Sequence, residues 1–299
     1  SILSTAGIFV FNNNQNKIRF FNKVYVASIK KIINFSAFQF AGSVMNFITK
    51  SIDKPLVGKY LSLASLGYYE KSYRLMQMPV DNLSYVFTPV MQPMFREFQH
   101  DLRIMFQKYK KILKTLAIVG FPLSALLYFS AYDLIHLFYG GKWDLAVTPF
   151  RYLSLSVGFM VLMSSSGPIY QASNKVKFML VVNIAEFIVS ISCLLLSLHT
   201  GNVNYVAFCI SIGVVVRFVF VFCLLSIGVF SISPFKIVQS ILPGILLGSL
   251  LAFIYYIEEL LHLDLNIILH LLLNSCIWAL LTGSYLLFDK DIQIKNLLK

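Results

Sequence analysis

Charge is scarce in this chain. Only 13% of its 299 residues are charged, against roughly a quarter in an ordinary soluble domain. Acidic residues are scarcer than basic ones, 13 Asp and Glu beside 25 Lys and Arg, a net charge of +12. A folded soluble protein must cover its surface with polar groups, and this composition does not supply them. A soluble enzyme, a secreted disulfide scaffold and a disordered chain are therefore excluded. The four cysteines, Cys193, Cys209, Cys223 and Cys276, all fall in apolar runs without a C-x-x-C pair, which reads as free thiols rather than a disulfide or metal framework. Five scattered histidines show no metal-ligand spacing. No H-E-x-x-H, G-x-S-x-G or P-loop occurs. The short outside loops leave no room for a catalytic domain. No enzyme activity, metal or cofactor is expected.

What the chain has is apolar sequence, 58% hydrophobic and 15% aromatic. A spanning helix needs about 20 mostly apolar residues. On that measure the fold class is all-α, a polytopic membrane protein of about eight spans. They run near 32–52, 66–95, 112–138, 147–171, 177–198, 204–229, 236–257 and 266–288. The first two are the most polar, and hydropathy ranks them lowest. Residues 1–11 read as the cut end of a longer apolar helix. The basic excess, which in a soluble protein would suggest nucleic acid, instead marks one set of loops. Lys17 to Lys31, Arg96 to Lys114, Lys175, Lys177, Lys236 and the C-terminal lysines all fall on one side. The positive-inside rule makes that side cytoplasmic, and no nucleic-acid partner is expected. Residues 96–114 alternate Leu102, Met105, Phe106, Tyr109 and Ile112 with Arg and Lys. That pattern predicts an amphipathic connector lying on anionic lipid. Gly244 and Gly248 form a G-x-x-x-G pair, which permits close helix approach.

Two of the spans carry polar stripes. Ser36, Gln39, Ser43, Asn46, Lys50 and Asp53 are spaced 3, 4, 3, 4, 3, and Glu70, Arg74, Gln77, Asp81, Ser84, Thr88 and Gln92 are spaced 4, 3, 4, 3, 4, 4. Such spacing puts each set on one helix face. An Arg or Asp facing lipid at mid-bilayer costs roughly 2.5–3.5 kcal/mol even on the mildest scale. Both stripes therefore face a water-filled cavity or another helix. In the interface reading, Glu70–Arg74 and Lys50–Asp53 neutralise each other. Lys71 adds a cation beside Arg74. Glu186, a lone acid in the fifth span, reads either as a titrating group for ion coupling or as a structural contact with a neighbour such as Arg217. His270 and Asn274 share a face of the last span and read as a polar helix interface.

Residues 53–83 carry a family pattern. Asp53, Leu56, Val57, Gly58, Lys59, Tyr60 and Leu61 are followed by Leu66, Gly67, Tyr68, Tyr69, Ser72, Tyr73, Arg74, Leu75, Pro79 and Leu83, and Val90 to Phe95 continues it. This segment resembles the polysaccharide flippases of the multidrug/oligosaccharidyl-lipid/polysaccharide exporter superfamily, of the O-antigen, exopolysaccharide and teichuronic acid type. The resemblance implies that residues 1–31 are the end of a preceding span and a basic loop. Residues 32–229 would then be the second six-helix lobe with its connector 96–114, residues 236–288 two additional C-terminal helices, and residues 289–299 a cytoplasmic tail. The implied function is flipping of undecaprenyl-pyrophosphate-linked oligosaccharide across a bacterial plasma membrane by alternating access. Arg74 takes the family's cavity-arginine position; Lys50 and Lys71 are the next candidates for the diphosphate on physical grounds. Gln39, Asn46, Gln77 and Ser84 suit sugar hydroxyls. Asp53, Asp81 and Glu186 are the candidates for proton or sodium coupling. Implied partners are the lipid-linked oligosaccharide, membrane lipids, an N-terminal lobe of the same protein and polysaccharide polymerase machinery. A multidrug or small-cation exporter of the same superfamily, and a membrane polymerase or ligase of lipid-linked glycan, stay open as alternatives.

Overall fold

The computed structural model describes residues 26–261 and 266–289; the first stub, the basic residues 17–23 and the C-terminal tail lie outside them. The chain divides into two compact units, Ser1–Phe40 and Ala41–Lys299. Of the first, the described part is the opening stretch of helix α1, Val26–Ser51.

The described part of the second unit is helical throughout. After α1 come the short α2 (Asp53–Tyr60), the long α3 (Leu63–Arg96), α4 (Leu102–Phe129) and α5 (Ala131–Tyr139). A single 3-10 segment, Gly141–Ala146, leads into three short helices, α6 (Val147–Ser154), α7 (Val157–Ser164) and α8 (Ser166–Ala172). Next are α9 (Val176–Leu198), α10 (Val203–Leu224) with a π-helical end at Leu225–Phe230, α11 (Phe235–Leu260) and α12 (Ile267–Phe288). Side-chain caps set several starts. Ser62 accepts from the Ser65 N–H at 3.0 Å. Asp101 accepts from the Arg103 and Ile104 N–H groups at 3.0 Å. Asn202 accepts from Asn204 at 2.9 Å. Each satisfies donors that the first turn of a helix leaves unpaired.

Among the described residues, five helices are long and apolar enough to cross a membrane: α4, α9 from Lys177, α10 with its π-helical end, α11 and α12. The stretch 141–172, bent by 52° at a break, makes a sixth if counted as one span. The molecule is thus an all-α polytopic membrane protein. Helices α1 and α3 coincide with the two spans that sequence ranks lowest. At 34 residues, α3 is about 51 Å long at 1.5 Å per residue, ample to span. Its stripe is what depresses its hydropathy.

Two features stand out. The prolines at 89, 93, 122 and 243 sit inside continuous helices, whereas the break falls in the serine-rich span that also holds Pro168. There Ser156, Ser165 and Ser166 turn their hydroxyls back to the carbonyls of Leu153, Leu162 and Met163. Ser124 of α4 accepts the Gly158 N–H at 2.7 Å. Irregular backbone survives at membrane depth because side chains take up its polar groups. Secondly, the basic connector is helical from Leu102 and runs straight into the span. Its apolar stripe is packed rather than left for lipid, since Met105 and Tyr109 are fully buried and Tyr109 lies against the rings of Phe95 and Phe230.

The G-x-x-x-G pair closes the tightest seam. An ideal Cβ at Gly244 would lie 2.3 Å from the Ala117 carbonyl carbon, and one at Gly248 2.9 Å from the Phe121 Cβ. Backbones of α4 and α11 therefore touch with no side chain between them.

Candidate functional site

Helix α3 is two-faced. Tyr69, Ser72, Met76, Val80, Met91 and Phe95 are buried, and the Ser72 hydroxyl donates to the Ala146 carbonyl at 2.7 Å. Arg74 lies two residues from both Ser72 and Met76, about 200° around the helix, and is exposed, as are Glu70 and Gln92. Gln77, Asp81, Ser84 and Thr88 continue that face half-buried. The stripe thus turns away from the helices that bury the opposite side.

The stripe is not self-neutralised. Glu70 pairs with Lys54 at 3.3 Å, not with Arg74, and Arg74 has no hydrogen bond or ion pair among the described residues. Gln77 donates to Asp81 at 2.8 Å, leaving its own carbonyl oxygen buried without a partner. Ser84 donates back to the Val80 carbonyl at 2.7 Å, so its oxygen keeps acceptor capacity only. Lys71, expected beside Arg74, turns instead to an aromatic pair, its ammonium standing 5.0 Å from the Tyr139 ring centre and 5.4 Å from that of Trp143. On α1, Asn46 is half-buried and the Lys50 side chain lies outside the described residues. Gln39 is half-buried on the part of α1 that belongs to the first unit.

A second polar locus is interior. Asp53, at the start of α2, accepts the Tyr69 hydroxyl at 2.6 Å and the Lys54 N–H at 2.9 Å. With Tyr73, Ser190, Cys193 and Arg217, Asp53 lines a cavity of about 50 Å³, space enough for a water. Arg217 donates to Ser190 at 3.3 Å, and its Nε is buried without a partner. Sequence placed Arg217 only as a neighbour for Glu186. Its proximity to Asp53, 164 positions away in sequence, depends on the packing of α9 and α10 against α2 and α3. Glu186, one turn before Ser190, does not line this cavity. On the same helix Asn183 donates to the Gly42 carbonyl at 2.9 Å, a structural tie.

The third locus joins the last helix to the body. His270 sits between Asp133, hydrogen-bonded to its Nδ1, and Glu258, 3.5 Å from its Nε2. Asn274 donates to Ser130 at 3.3 Å, and Tyr255 donates to the Asn274 carbonyl at 2.8 Å. The shared face of His270 and Asn274 is therefore a polar helix interface, as its spacing suggests.

Residues 1–148 match the family model described as polysaccharide biosynthesis protein. The chain is 26% identical over 190 residues to the teichuronic acid biosynthesis protein TuaB of Bacillus subtilis, covering 64% of this chain and 39% of that protein. It is 26% identical over 144 residues to the lipopolysaccharide biosynthesis protein WzxC of Escherichia coli, 48% of this chain and 29% of that one. Over these stretches the chain is similar to polysaccharide biosynthesis proteins. An uncharacterized membrane protein in the cps region of Klebsiella pneumoniae is likewise 26% identical over 169 residues, 56% of this chain and 35% of that protein. The chain spans between 29% and 39% of the length of these relatives. No solved structure matches it significantly.

Proposed function

We propose that this chain takes part in moving undecaprenyl-pyrophosphate-linked oligosaccharide across a bacterial plasma membrane for surface polysaccharide synthesis. The observation that carries the reading is Arg74 on the polar face of α3, opposite the buried face and with no acidic partner among the described residues. A diphosphate is a multiply charged anion, and a guanidinium with no acidic partner can give it charge-assisted hydrogen bonds. Gln77, Asp81, Ser84 and Thr88 follow Arg74 along the helix and offer the exchangeable donors and acceptors that a glycan needs. Lys50, Gln39 and Asn46 add the same chemistry from α1. The relatives' names, which refer to teichuronic acid and lipopolysaccharide biosynthesis, support the substrate class.

In this reading the N-terminal lobe of the whole protein supplies the wall facing the stripe. The two lobes alternate access, with the bent 141–172 span and the α4–α11 seam setting what can move. Asp53, Asp81 or Glu186 carries the coupling proton or sodium; Asp53 is favoured because it shares a cavity with Arg217. The C-terminus is cytoplasmic, and a polysaccharide polymerase receives the flipped unit. The chain acts as a transporter rather than a catalyst.

The deciding experiment is complementation of a deletion strain by the full-length protein carrying Arg74→Ala. Surface polysaccharide should fall at least tenfold at equal expression, one lost charged contact to the cargo being worth about 1.5–3 kcal/mol. Arg74→Lys should restore part of it. Wild-type polysaccharide from Arg74→Ala would overturn the role of Arg74.

A further inference from the structure

We propose that the groove between the start of α4, the π-helical end of α10 and the start of α11 is a binding site for the phosphate headgroup of an anionic phospholipid. The groove has a volume of about 750 Å³. Its floor is apolar, with Phe106 and Phe230 packed ring to ring at 5.2 Å beside Ile232. Its rim is cationic, formed by Arg103, Lys110 and Lys236, all exposed. No acid is among the lining residues. The acid next to it in sequence, Asp101, is turned to its own helix and accepts from the Arg103 and Ile104 N–H groups. None of the three rim side chains has an ion pair among the described residues.

Position in the membrane is what makes this a lipid site. Three apolar spans meet here: Leu102–Phe129 and Phe235–Leu260 begin at the groove, and Val203–Phe230 ends at it. The groove therefore stands where hydrocarbon gives way to headgroups, with its aromatic floor placed for acyl chain and its cations for phosphate. The π-helical turn and Ser231, at φ +54°, stop α10 at that level and present Phe230 to the start of α4. The connector stripe thus has its lipid chemistry, but in a pocket built with α11 rather than along an open helix face. A zwitterionic headgroup brings a cation of its own to the rim, so the groove selects net negative lipids.

This inference rests on the chain being a membrane protein and not on its cargo, because Arg74 and the α3 stripe do not line the groove. Native mass spectrometry of the purified full-length protein, offered phosphatidylglycerol, phosphatidylcholine or a polyprenyl diphosphate, tests it. Phosphatidylglycerol should be retained over phosphatidylcholine. Binding should weaken by about fivefold for each cation removed, the usual worth of a Lys or Arg near a charged surface, in a series ending at Arg103→Gln/Lys110→Gln/Lys236→Gln. A control of equal charge, Arg96→Gln/Lys108→Gln/Lys111→Gln, should retain it, and Lys236→Arg should behave as wild type. Equal loss in groove and control variants would overturn the proposal, as would undiminished phosphatidylglycerol binding by the groove variant. Loss of polyprenyl diphosphate alone would also overturn it and assign the groove to the cargo. Loss of phosphatidylglycerol with polysaccharide export intact supports the lipid site and leaves the Arg74 reading standing on its own test.

Discussion

Arg74 presents a full positive charge on a face whose nearest acid in sequence, Glu70, is already held by Lys54. Removing Glu70 should therefore do little to export, whereas removing Arg74 should do much, although the two stand one turn apart. Asp53 is the converse case, an acid already held by the Tyr69 hydroxyl and the Lys54 N–H. Asp53→Asn keeps an acceptor for the Tyr69 hydroxyl, so its thermal midpoint should stay close to the wild-type value, while export falls if Asp53 carries the coupling ion. Which residues line the stripe was legible in sequence, because a period of 3 and 4 marks one helix face regardless of neighbours. That Lys71, next to it, would turn to Tyr139 and Trp143 was not, because a cation–π contact across 68 to 72 positions has no local signature. The partnering of Asp53 with Tyr69, and its shared cavity with Arg217, was hidden for the same reason.

Among the elements, the apolar runs located the spans 177–198, 204–229, 236–257 and 266–288 closely, since hydrocarbon thickness sets a length that hydropathy can read, whereas the run 112–138 divides at Ser130 between α4, which starts ten residues earlier at Leu102, and α5. The break within 147–172 left no such trace. Serine is nearly neutral in hydropathy, and the run stays apolar through Ser154, Ser156 and Ser164 to Ser166. What makes the break tolerable is a hydroxyl from another helix. Ser124→Ala should leave the buried Gly158 N–H unpaired at a cost of about 1–3 kcal/mol, read as a lowered thermal midpoint in detergent. The G-x-x-x-G pair is weak as a motif, yet both of its glycines sit against backbone or Cβ of α4. Gly244→Ala should destabilise by about 1–3 kcal/mol through overpacking. Gly283→Ala in α12, where a Cβ meets nothing within 4 Å, should not destabilise.

For the whole molecule, α12 is the least embedded of the five apolar spans, with 11% of its apolar window buried. Polar contacts must therefore contribute much of its attachment. His270→Leu would leave the Asp133 and Glu258 carboxyl groups sharing a site without the ring between them. The expected result is faster hydrogen–deuterium exchange in α12, with α4 unchanged, and reversal when Asp133→Asn and Glu258→Gln are added.

Helix α4 meets neighbours at backbone distance on two sides. Gly244 and Gly248 of α11 press on Ala117 and Phe121, while a Cβ at Gly120 would lie 3.3 Å from the Gly158 Cα of α7. A shaft held this closely has no clearance in which to turn. A rearrangement that keeps these contacts carries α4, α7 and α11 together as one block, which leaves the junctions on either side of α7, where serine hydroxyls take up the backbone carbonyls, as the places for neighbouring segments to pivot.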